Sequence, residues 1–450
     1  MGGVTVDKQQ GQFHLFTQRR FLPFFPTQFL GALNDNLFKN ALLVIIVSLG
    51  VSEAASNTNF LTNLAAGLFI LPYFLFSTTA GQLADKYDKA WLIRRIKFAE
   101  IIIMLIGCYA LYSKNIALMM FILFLLGVQS SFFGPIKYSI IPQHLSSEEL
   151  MAGNAQVGMG TFVSILLGTL LGGWLVTFPL GTIWVGSLAV MVALIGWWGS
   201  CKIPDAPADK GEIKISLNPV REAWRNLGFA RENMTVFYCI MGISWFWLFG
   251  GSFLTQVPNF AITVLQGHPT LISILLAAFI IGVAIGSILC AKVSGKQVEP
   301  RLIPLGAIGL TVFSCDIFFS SNAFQLAAQG MTEILPLAFL TMGNGIRVLI
   351  DLVAIGLFGG IFIVPLYAMV QSRTVSHKRA RVIAANNVFN ALFMVSGAVI
   401  GVVCLSVVQM SIPQFFLTIS AANLLFLLLL IWRVPEFKQR FWLWVTNRRG

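Results

Sequence analysis

The sequence is poor in charged residues and in the residue types that build soluble catalytic or redox sites. Only 11% of its 450 residues are Asp, Glu, Lys or Arg, whereas soluble globular domains carry about 25%. It has four histidines and six cysteines, and no two cysteines have the Cys-x-x-Cys spacing of metal or redox sites. A glycine-rich nucleotide loop ahead of a lysine is also missing. These absences exclude a soluble enzyme, a secreted disulfide scaffold and an ATP-driven machine, and we expect no metal ion and no cofactor.

Apolar side chains are in excess instead. Hydrophobic residues make up 57% of the chain, including 39 phenylalanines, in blocks of about 20 residues, the length of helix that crosses a bilayer core. We predict an all-α membrane protein with twelve transmembrane helices. The predicted spans are 22–49, 60–80, 96–112, 116–136, 152–177, 180–200, 234–258, 270–292, 302–320, 346–371, 383–408 and 413–432.

The basic residues are distributed unevenly between the two sets of loops. All but four of the 30 Lys and Arg residues fall in segments that are cytoplasmic if the N-terminus is cytoplasmic. The four others are Lys39, Lys114, Lys137 and Arg347. Because cytoplasmic loops are enriched in Lys and Arg, we place both termini in the cytoplasm. This asymmetry accounts for the net charge of +12 without a nucleic-acid partner.

The longest polar break inside the chain divides the spans six and six. We therefore predict an N-terminal segment 1–21, a six-helix bundle 22–200, a cytoplasmic linker 201–233, a second six-helix bundle 234–432 and a basic, aromatic tail 433–450. Segment 322–345 is predicted as an interfacial outer loop. Two bundles joined by such a linker are typical of transporters built from two repeats.

Glycines four residues apart recur in spans five, eight and eleven, where the missing side chains let helix backbones approach closely. At any one site the glycines are expected to pack neighbouring helices locally. Because spans five, eight and eleven are expected to line the seam between the bundles, the repetition also suits close and sliding packing there. The pairs are Gly168 and Gly172, Gly282 and Gly286, and Gly397 and Gly401.

Polar side chains in span one are the first candidates for a binding site, because a charge inside a span costs about 2.5–3.5 kcal/mol on insertion scales. Asp35, Asn36 and Lys39 occur together there. Asp35 and Lys39 are four residues apart and share a helix face. They form either a cavity-facing site with both charge signs or a structural ion pair that neutralises itself.

Spans four and eleven supply further candidates. Pro135 is expected to break or kink span four, and Lys137 next to it either contacts an anionic phosphate or extends to the inner headgroups. In span eleven Asn386 and Asn390 lie four apart. Their amides either bind a polar headgroup or bond between helices.

The loop after span two contains a glycine, an aspartate and several basic residues in a spaced pattern: Gly81, Asp85, Lys86, Lys89 and Arg94. It resembles the cytoplasmic loop motif of the major facilitator superfamily, although Asp88 replaces that motif's second glycine. In that family the acid pairs with basic groups and a helix end and latches the two halves in one state. The resemblance implies the major facilitator fold and a latch made by these five residues.

Several longer stretches resemble the lysophospholipid transporter branch of that superfamily, particularly the transporter part of fusions with 2-acylglycerophosphoethanolamine acyltransferase and acyl carrier protein ligase. They are 28–38 (QFLGALNDNLF), 133–138 (FGPIKY), 243–247 (ISWFW), 356–367 (GLFGGIFIVPLY) with Gln371, and 381–387 (RVIAANN). The histidine and aspartate motif of glycerolipid acyltransferases is missing from the sequence, so an acyltransferase would be a separate cytosolic or peripheral partner.

The resemblance implies a bacterial inner-membrane transporter, not an enzyme, that moves lysophosphatidylethanolamine, and lysophosphatidylglycerol, from the outer to the inner leaflet for reacylation. Asp35 and Asn36 match the branch's span-one residues and Lys137 its span-four lysine. Asp35 would take an ammonium group and Lys137 a phosphate. Gly158 stands where standalone members place an acid, which leaves substrate choice open. The alternatives are an exporter of another amphiphile, such as a siderophore or drug, and a scaffold that docks an acyltransferase through the tail.

Overall fold

A computed structural model describes residues 12–50, 55–208, 213–295, 297–331 and 333–447. Apart from one bridge between Gly267 and Ile334, the regular structure in these ranges is helical. The α-helices are α1 (Phe24–Gly50), α2 (Ala55–Lys86), α3 (Lys89–Tyr112), α4 (Ile116–His144), α5 (Leu150–Leu175), α6 (Gly181–Ser200), α7 (Pro219–Arg231), α8 (Met234–Asn259), α9 (Thr270–Ser294), α10 (Leu302–Ala327), α11 (Pro336–Thr341), α12 (Gly343–Arg373), α13 (Arg379–Val402), α14 (Ile412–Arg433) and α15 (Pro435–Asn447). Short 3-10 turns cover Gln12–Thr17 and Ser376–Lys378, and π turns Phe260–Val264 and Val403–Val407 follow α8 and α13.

Eleven helices in the described ranges are long and apolar enough to cross a membrane. Helix α3 has 24 residues, which corresponds to about 36 Å at 1.5 Å per residue. It falls outside that set because Arg94, Arg95, Lys97 and Glu100 follow one another closely in it. The prediction of twelve spans therefore requires α3 to cross the membrane as well.

The helices form two groups. In the first half α1 packs closely on α5, α2 on α4 and α3 on α6, whereas in the second half α9 and α10 pack on α12, α10 on α14, and α8 on α13. Helix α7 lies in the predicted linker and contacts α2, α8 and α13. The turn between α2 and α3, the linker with α7, and the tail helix α15 all lie on one side of the molecule, here named the basic side.

The seam between the halves is formed by α2 with α13 and by α5 with α9. This confirms that the predicted spans five, eight and eleven lie at the seam. Of the two alternatives for the glycines, local helix packing is supported, because a side chain at Gly172 would meet the backbone of Leu37 on α1, and one at Gly286 the backbone of Leu357 on α12. Both pairs thus bring helices of the same half together.

Several helices extend beyond the predicted spans. Helix α4 continues through Pro135 to His144, so of the predicted break or kink at this proline the break is wrong and the kink stays a prediction. Helix α3 begins at Lys89, where the Asp88 side chain accepts a hydrogen bond from the Trp91 amide over 2.7 Å. Such a cap, and not the edge of an apolar run, fixes where a helix begins.

The segments between and after the bundles also contain helices: α7 lies in the predicted linker, α11 in the predicted outer loop, and α15 in the predicted tail. The tail helix is docked on the bundle. Arg373 donates two hydrogen bonds to the Glu436 carboxylate, at 2.6 and 2.7 Å, and Phe437 is fully buried.

Candidate binding cavity and gates

A cavity of about 350 Å³ lies between the two halves. In the described part of the chain its charged lining residues all belong to the first half. They are Asp35 and Lys39 on α1, Lys97 on α3, and Lys137 on α4. The second half lines it with mostly aromatic and apolar side chains, namely Phe246, Trp247, Leu254, Phe279, Tyr367 and Met394. The cavity is therefore amphipathic, with a charged wall opposite an apolar one.

The polar residues of span one lie together on the charged wall. The Ser130 hydroxyl donates a hydrogen bond to Asp35 Oδ2, while Lys39 Nζ donates to Asn36 Oδ1 over 2.8 Å. Asp35 Oδ1 is buried without a hydrogen-bond partner in the described part of the chain. The alternative of a self-neutralising ion pair between Asp35 and Lys39 is not supported, because each side chain has a different partner.

Lys137 lies on the same wall, where contact with an anionic phosphate would require it to be. Its Nζ donates to Thr161 Oγ1 over 2.7 Å, and the Thr161 hydroxyl also lies 3.1 Å from Gln28 Oε1. The side chain is buried, with 8% of the residue exposed. The alternative in which Lys137 extends to the membrane headgroups is therefore wrong.

A buried network behind Asp35 was not assigned a role from the sequence. Lys97 Nζ and Glu100 Oε2 are 2.6 Å apart, and both side chains are almost completely buried. Asn34 and Gln129 donate further hydrogen bonds to the Glu100 carboxylate, at 3.0 and 2.9 Å. Glu100 is thus fully partnered, and the network joins α1, α3 and α4. The sequence signal was the pair of opposite charges three residues apart inside an apolar span.

One of the two asparagines predicted in span eleven lines the cavity. Asn390 does so, and its Oδ1 accepts a hydrogen bond from the Ser244 hydroxyl over 2.8 Å. Asn386 does not, since it is buried away from the lining, and its neighbour Asn387 takes the expected place. Consecutive residues of a helix point about 100° apart. An error of one position in the predicted helix phase is therefore enough to place Asn386 in the cavity instead of Asn387.

A closed layer of contacts between the halves borders the cavity toward the basic side. The rings of Tyr138 on α4 and Tyr367 on α12 stack with centroids 4.1 Å apart and an interplanar angle of 6°. Asn154 on α5 and Gln371 on α12 exchange two hydrogen bonds, at 2.7 and 2.9 Å. We name these four residues the inner gate. Their pairing joins positions more than 200 residues apart, and the sequence alone gave no signal for it.

A second contact closes the basic side itself. The Asp85 carboxylate accepts hydrogen bonds from the backbone amides of Ala380 and Arg381, at 3.0 and 3.3 Å, and from Arg381 Nε, at 3.0 Å. These amides open α13, so the carboxylate caps a helix of the other half and meets the positive end of its dipole. Gly81 permits the approach, because a Cβ there would lie 2.6 Å from Ala384 Cβ.

Three basic residues predicted as latch components lie elsewhere. Arg94 forms an ion pair with Asp205 of the linker, at 2.8 Å, and Lys86 lies over the ring of its neighbour Tyr87. Lys89 is the first residue of α3 and is buried. In the described residues Gly81 and Asp85 therefore make the contact between the halves, and Arg381 is the cation that the predicted set lacked.

Comparison with known proteins decides the family. Residues 24–349 match the family described as Major Facilitator Superfamily. The chain belongs to the Major Facilitator Superfamily. Members of this superfamily are transporters, and this one is a multi-pass protein of the bacterial inner membrane.

Relatives within the superfamily agree with the resemblance found in the sequence. The chain is 26% identical over 358 residues to the lysophospholipid transporter LplT of Enterobacter sp. (strain 638), covering 77% of this chain and 78% of that protein. It is also 26% identical over 365 residues to LplT of Klebsiella pneumoniae (strain 342), with the same coverage. The predicted resemblance to the lysophospholipid transporter branch is confirmed.

Solved structures of the superfamily share the fold. The human organic anion transporter MFSD10 superimposes with a TM-score of 0.72 at 16% identity, covering 92% of this chain and 99% of that one. A bacterial homologue of the iron transporter ferroportin, in an outward-facing state, gives a TM-score of 0.65 at 14% identity with the same coverage. The all-helical facilitator fold is therefore established.

Proposed function

We propose that this protein is a secondary transporter that moves lysophospholipids, such as lysophosphatidylethanolamine and lysophosphatidylglycerol, from the outer to the inner leaflet of the inner membrane for reacylation. The observation that carries the proposal is the amphipathic cavity, whose charged wall faces an aromatic and apolar wall. A single-chain lipid has the same division into a charged head and an apolar tail. The LplT relatives support the same substrate class.

The headgroup binds on the charged wall. Lys137 contacts the phosphate, exchanging its hydrogen bond with Thr161 for a charge-assisted one, which is roughly twice as strong as a neutral bond. Asp35 contacts the ammonium group of ethanolamine through the oxygen that is buried without a partner. Asn36, Lys39 and Asn390 hold the polar atoms around these two charges.

The acyl chain stays in the apolar part of the cavity and between the spans. Gly250 and Gly251 of α8 line the cavity, and a Cβ added at either would meet no atom within 4 Å. The cavity therefore has free space along this wall. Trp247 and Phe162, whose rings stack with centroids 5.9 Å apart, border it where the halves meet.

Orientation and direction follow from the charges. With twelve spans, including α3, and both termini in the cytoplasm, the basic side is cytoplasmic. Asp85 with Gly81 and Arg381 forms the conformational latch, and the inner gate lies above it. Both are closed, so a headgroup reaches the cavity from the outer leaflet. Release to the inner leaflet requires both contacts to open.

Reacylation requires an acyltransferase on the cytoplasmic side, which we propose as a cytosolic or peripheral partner. The start of the tail helix α15 is held on the bundle by the chain itself, because Glu436 is paired with Arg373 and Phe437 is buried. Transport therefore does not depend on a partner that binds the tail. Removal of residues 437–450 is expected to leave transport intact.

The proposal is tested in bacterial spheroplasts that lack their own lysophospholipid importer. Labelled lysophosphatidylethanolamine is supplied outside, and its conversion to diacyl lipid inside is measured for the wild type and for Asp35→Asn and Lys137→Ala at equal expression. Matched controls make similar charge changes at exposed positions, with Glu333→Gln and Lys438→Ala. We expect conversion in the wild type and controls and its loss in both cavity variants.

Two results would contradict the proposal. Wild-type conversion no greater than that of empty membranes, with folded protein present, would refute the substrate assignment and favour export of another amphiphile. Full conversion by Asp35→Asn and Lys137→Ala would retain the substrate but refute the two-charge headgroup site.

A further inference from the structure

A second pocket lies on the basic side, where α2, the linker and α13 meet. Its volume is about 400 Å³, and it is lined by Gln82, Ile213, Lys214, Arg225 and Arg381. Three of these five side chains are cations, and among the residues that the structure describes no acid lines the pocket. The pocket is separate from the cavity between the halves, with which it shares no lining residue.

Among the described residues, the positive charge of this pocket is only partly neutralised. Arg225 forms an ion pair with Glu222, at 3.8 Å. Lys214 is exposed and has no acidic group within 4.0 Å in the described ranges. Arg381 uses Nε for Asp85 and one terminal nitrogen for the His377 carbonyl. Its other terminal nitrogen donates no hydrogen bond within the described part of the chain.

The linker strand that carries Lys214 is fixed beside the latch. The Gln82 side chain donates to the Ser216 carbonyl over 3.0 Å and accepts from the Ser216 amide over 2.8 Å. One glutamine thus holds the linker backbone on α2 as a neighbouring strand would. The cations are therefore held around the pocket by the fold.

We propose that this pocket binds a phosphate group, from either free phosphate or the headgroup of an anionic lipid. The Arg225 guanidinium group, the remaining terminal nitrogen of Arg381 and the Lys214 ammonium group are cationic donors that suit phosphate oxygens. The cations come from the linker, which Gln82 holds on α2, and from α13, so they surround the anion only while the basic side is closed. A bound phosphate therefore favours the closed state by its differential affinity.

The neighbouring surface favours a lipid as the source of the phosphate group. Leu217, Val220 and Trp224, at the start of α7 and just before it, are largely exposed. Side chains of this kind enter the interfacial region of a bilayer. The phosphate of an inner-leaflet headgroup would then be within reach of Lys214 and Arg225.

The binding test uses the full chain purified in detergent. Unfolding is followed with a thiol-reactive dye that reports exposure of the buried Cys239 and Cys290. Inorganic phosphate is compared with sodium chloride of equal ionic strength, and phosphatidylglycerol with phosphatidylcholine. The pocket variant is Lys214→Gln with Arg225→Gln, and the matched control is Arg221→Gln, an exposed residue of the same helix outside the lining.

We expect phosphate or phosphatidylglycerol to raise the Tm of the wild type and of Arg221→Gln by about 2 °C, and to have no effect on the pocket variant. A rise with phosphatidylglycerol alone identifies a lipid headgroup as the ligand, and a rise with phosphate alone a free anion. No rise with either, or an equal rise in the pocket variant, would overturn the proposal. None of these outcomes depends on lysophospholipid transport.

A second measurement tests the preference for the closed state. Spin labels at Lys202 and Val375, which are exposed on the basic side of opposite halves, are introduced into a chain without its native cysteines. The ligand that raises the Tm should increase the population with the shorter distance between the labels. An unchanged or longer distance would contradict the link between the pocket and the latch.

Discussion

Replacing Asp85 with asparagine tests the latch at the contact that closes the basic side. The carboxylate accepts three hydrogen bonds from α13, two from backbone amides and one from Arg381. Asparagine has one acceptor oxygen. With that oxygen on the Ala380 amide, the two Arg381 donors would face the amide hydrogens of the asparagine, and the charge would be lost. A hydrogen bond to a charged group contributes about 1.5–3 kcal/mol. Loss of two at the lower limit is about 3 kcal/mol, or about a 100-fold shift of the equilibrium toward the open basic side.

Pulsed electron paramagnetic resonance measures this shift directly, with the labels at Lys202 and Val375 described above. We expect the Asp85→Asn variant to populate longer distances between the labels than the parent chain does. The control is Asp205→Asn, which removes the exposed partner of Arg94. It should change the ratio of short to long label distances little, because exposed ion pairs contribute about 0–1 kcal/mol. Identical distance distributions for Asp85→Asn and its parent would refute the assignment of Asp85 to the latch.

Three further predictions concern packing, the inner gate and the tail. Gly286→Ala should lower the free energy of unfolding by about 1–3 kcal/mol, because a Cβ there would overlap the α12 backbone. The control is Gly250→Ala, whose Cβ would point into open space and which should keep the wild-type Tm in the thiol-dye assay. Leucine substitutions at Asn154 and Gln371 should be non-additive by about 0.5–3 kcal/mol in a double-mutant cycle on Tm, and additive effects would contradict the buried pairing. The hydrogen bonds from Arg373 hold the pKa of Glu436 below its usual value. Their stabilisation of α15 is therefore present above the ordinary pKa of about 4.3 and lost as the pH falls through the lower folded value. The protection factor of the α15 amides, which is the intrinsic exchange rate divided by the measured one, should be unchanged from pH 8 to 6 and smaller at the acid end.

Hydropathy located the membrane helices well because each must present about 20 apolar residues to lipid. It located their ends poorly, since outside the lipid a helix continues until a cap stops it, as Asp88 does at the start of α3. Helix α4 passes Pro135 for a related reason. In a packed membrane bundle, neighbouring groups can satisfy the backbone that a proline leaves unpaired.

The charged wall of the cavity was predictable because buried charges are costly and so stand out in an apolar sequence. Asp35 and Lys137 were each identified in this way, and both line the cavity. The partners across the seam were not predictable. Tyr138 with Tyr367, and Asp85 with Arg381, are far apart in the chain, and helix periodicity carries no information about which face of a distant helix each will meet.

Movement of a lysophospholipid between leaflets is measured most directly with the purified chain alone in liposomes. Fluorescent lysophosphatidylethanolamine is added to the outer leaflet, and the fraction that albumin can no longer extract is followed with time. We expect the protected fraction to grow faster than in protein-free vesicles. The rate of growth should fall to the protein-free value with Lys137→Ala but not with Lys438→Ala. A rate equal to that of protein-free vesicles, with correctly folded protein present, would contradict the proposed transport.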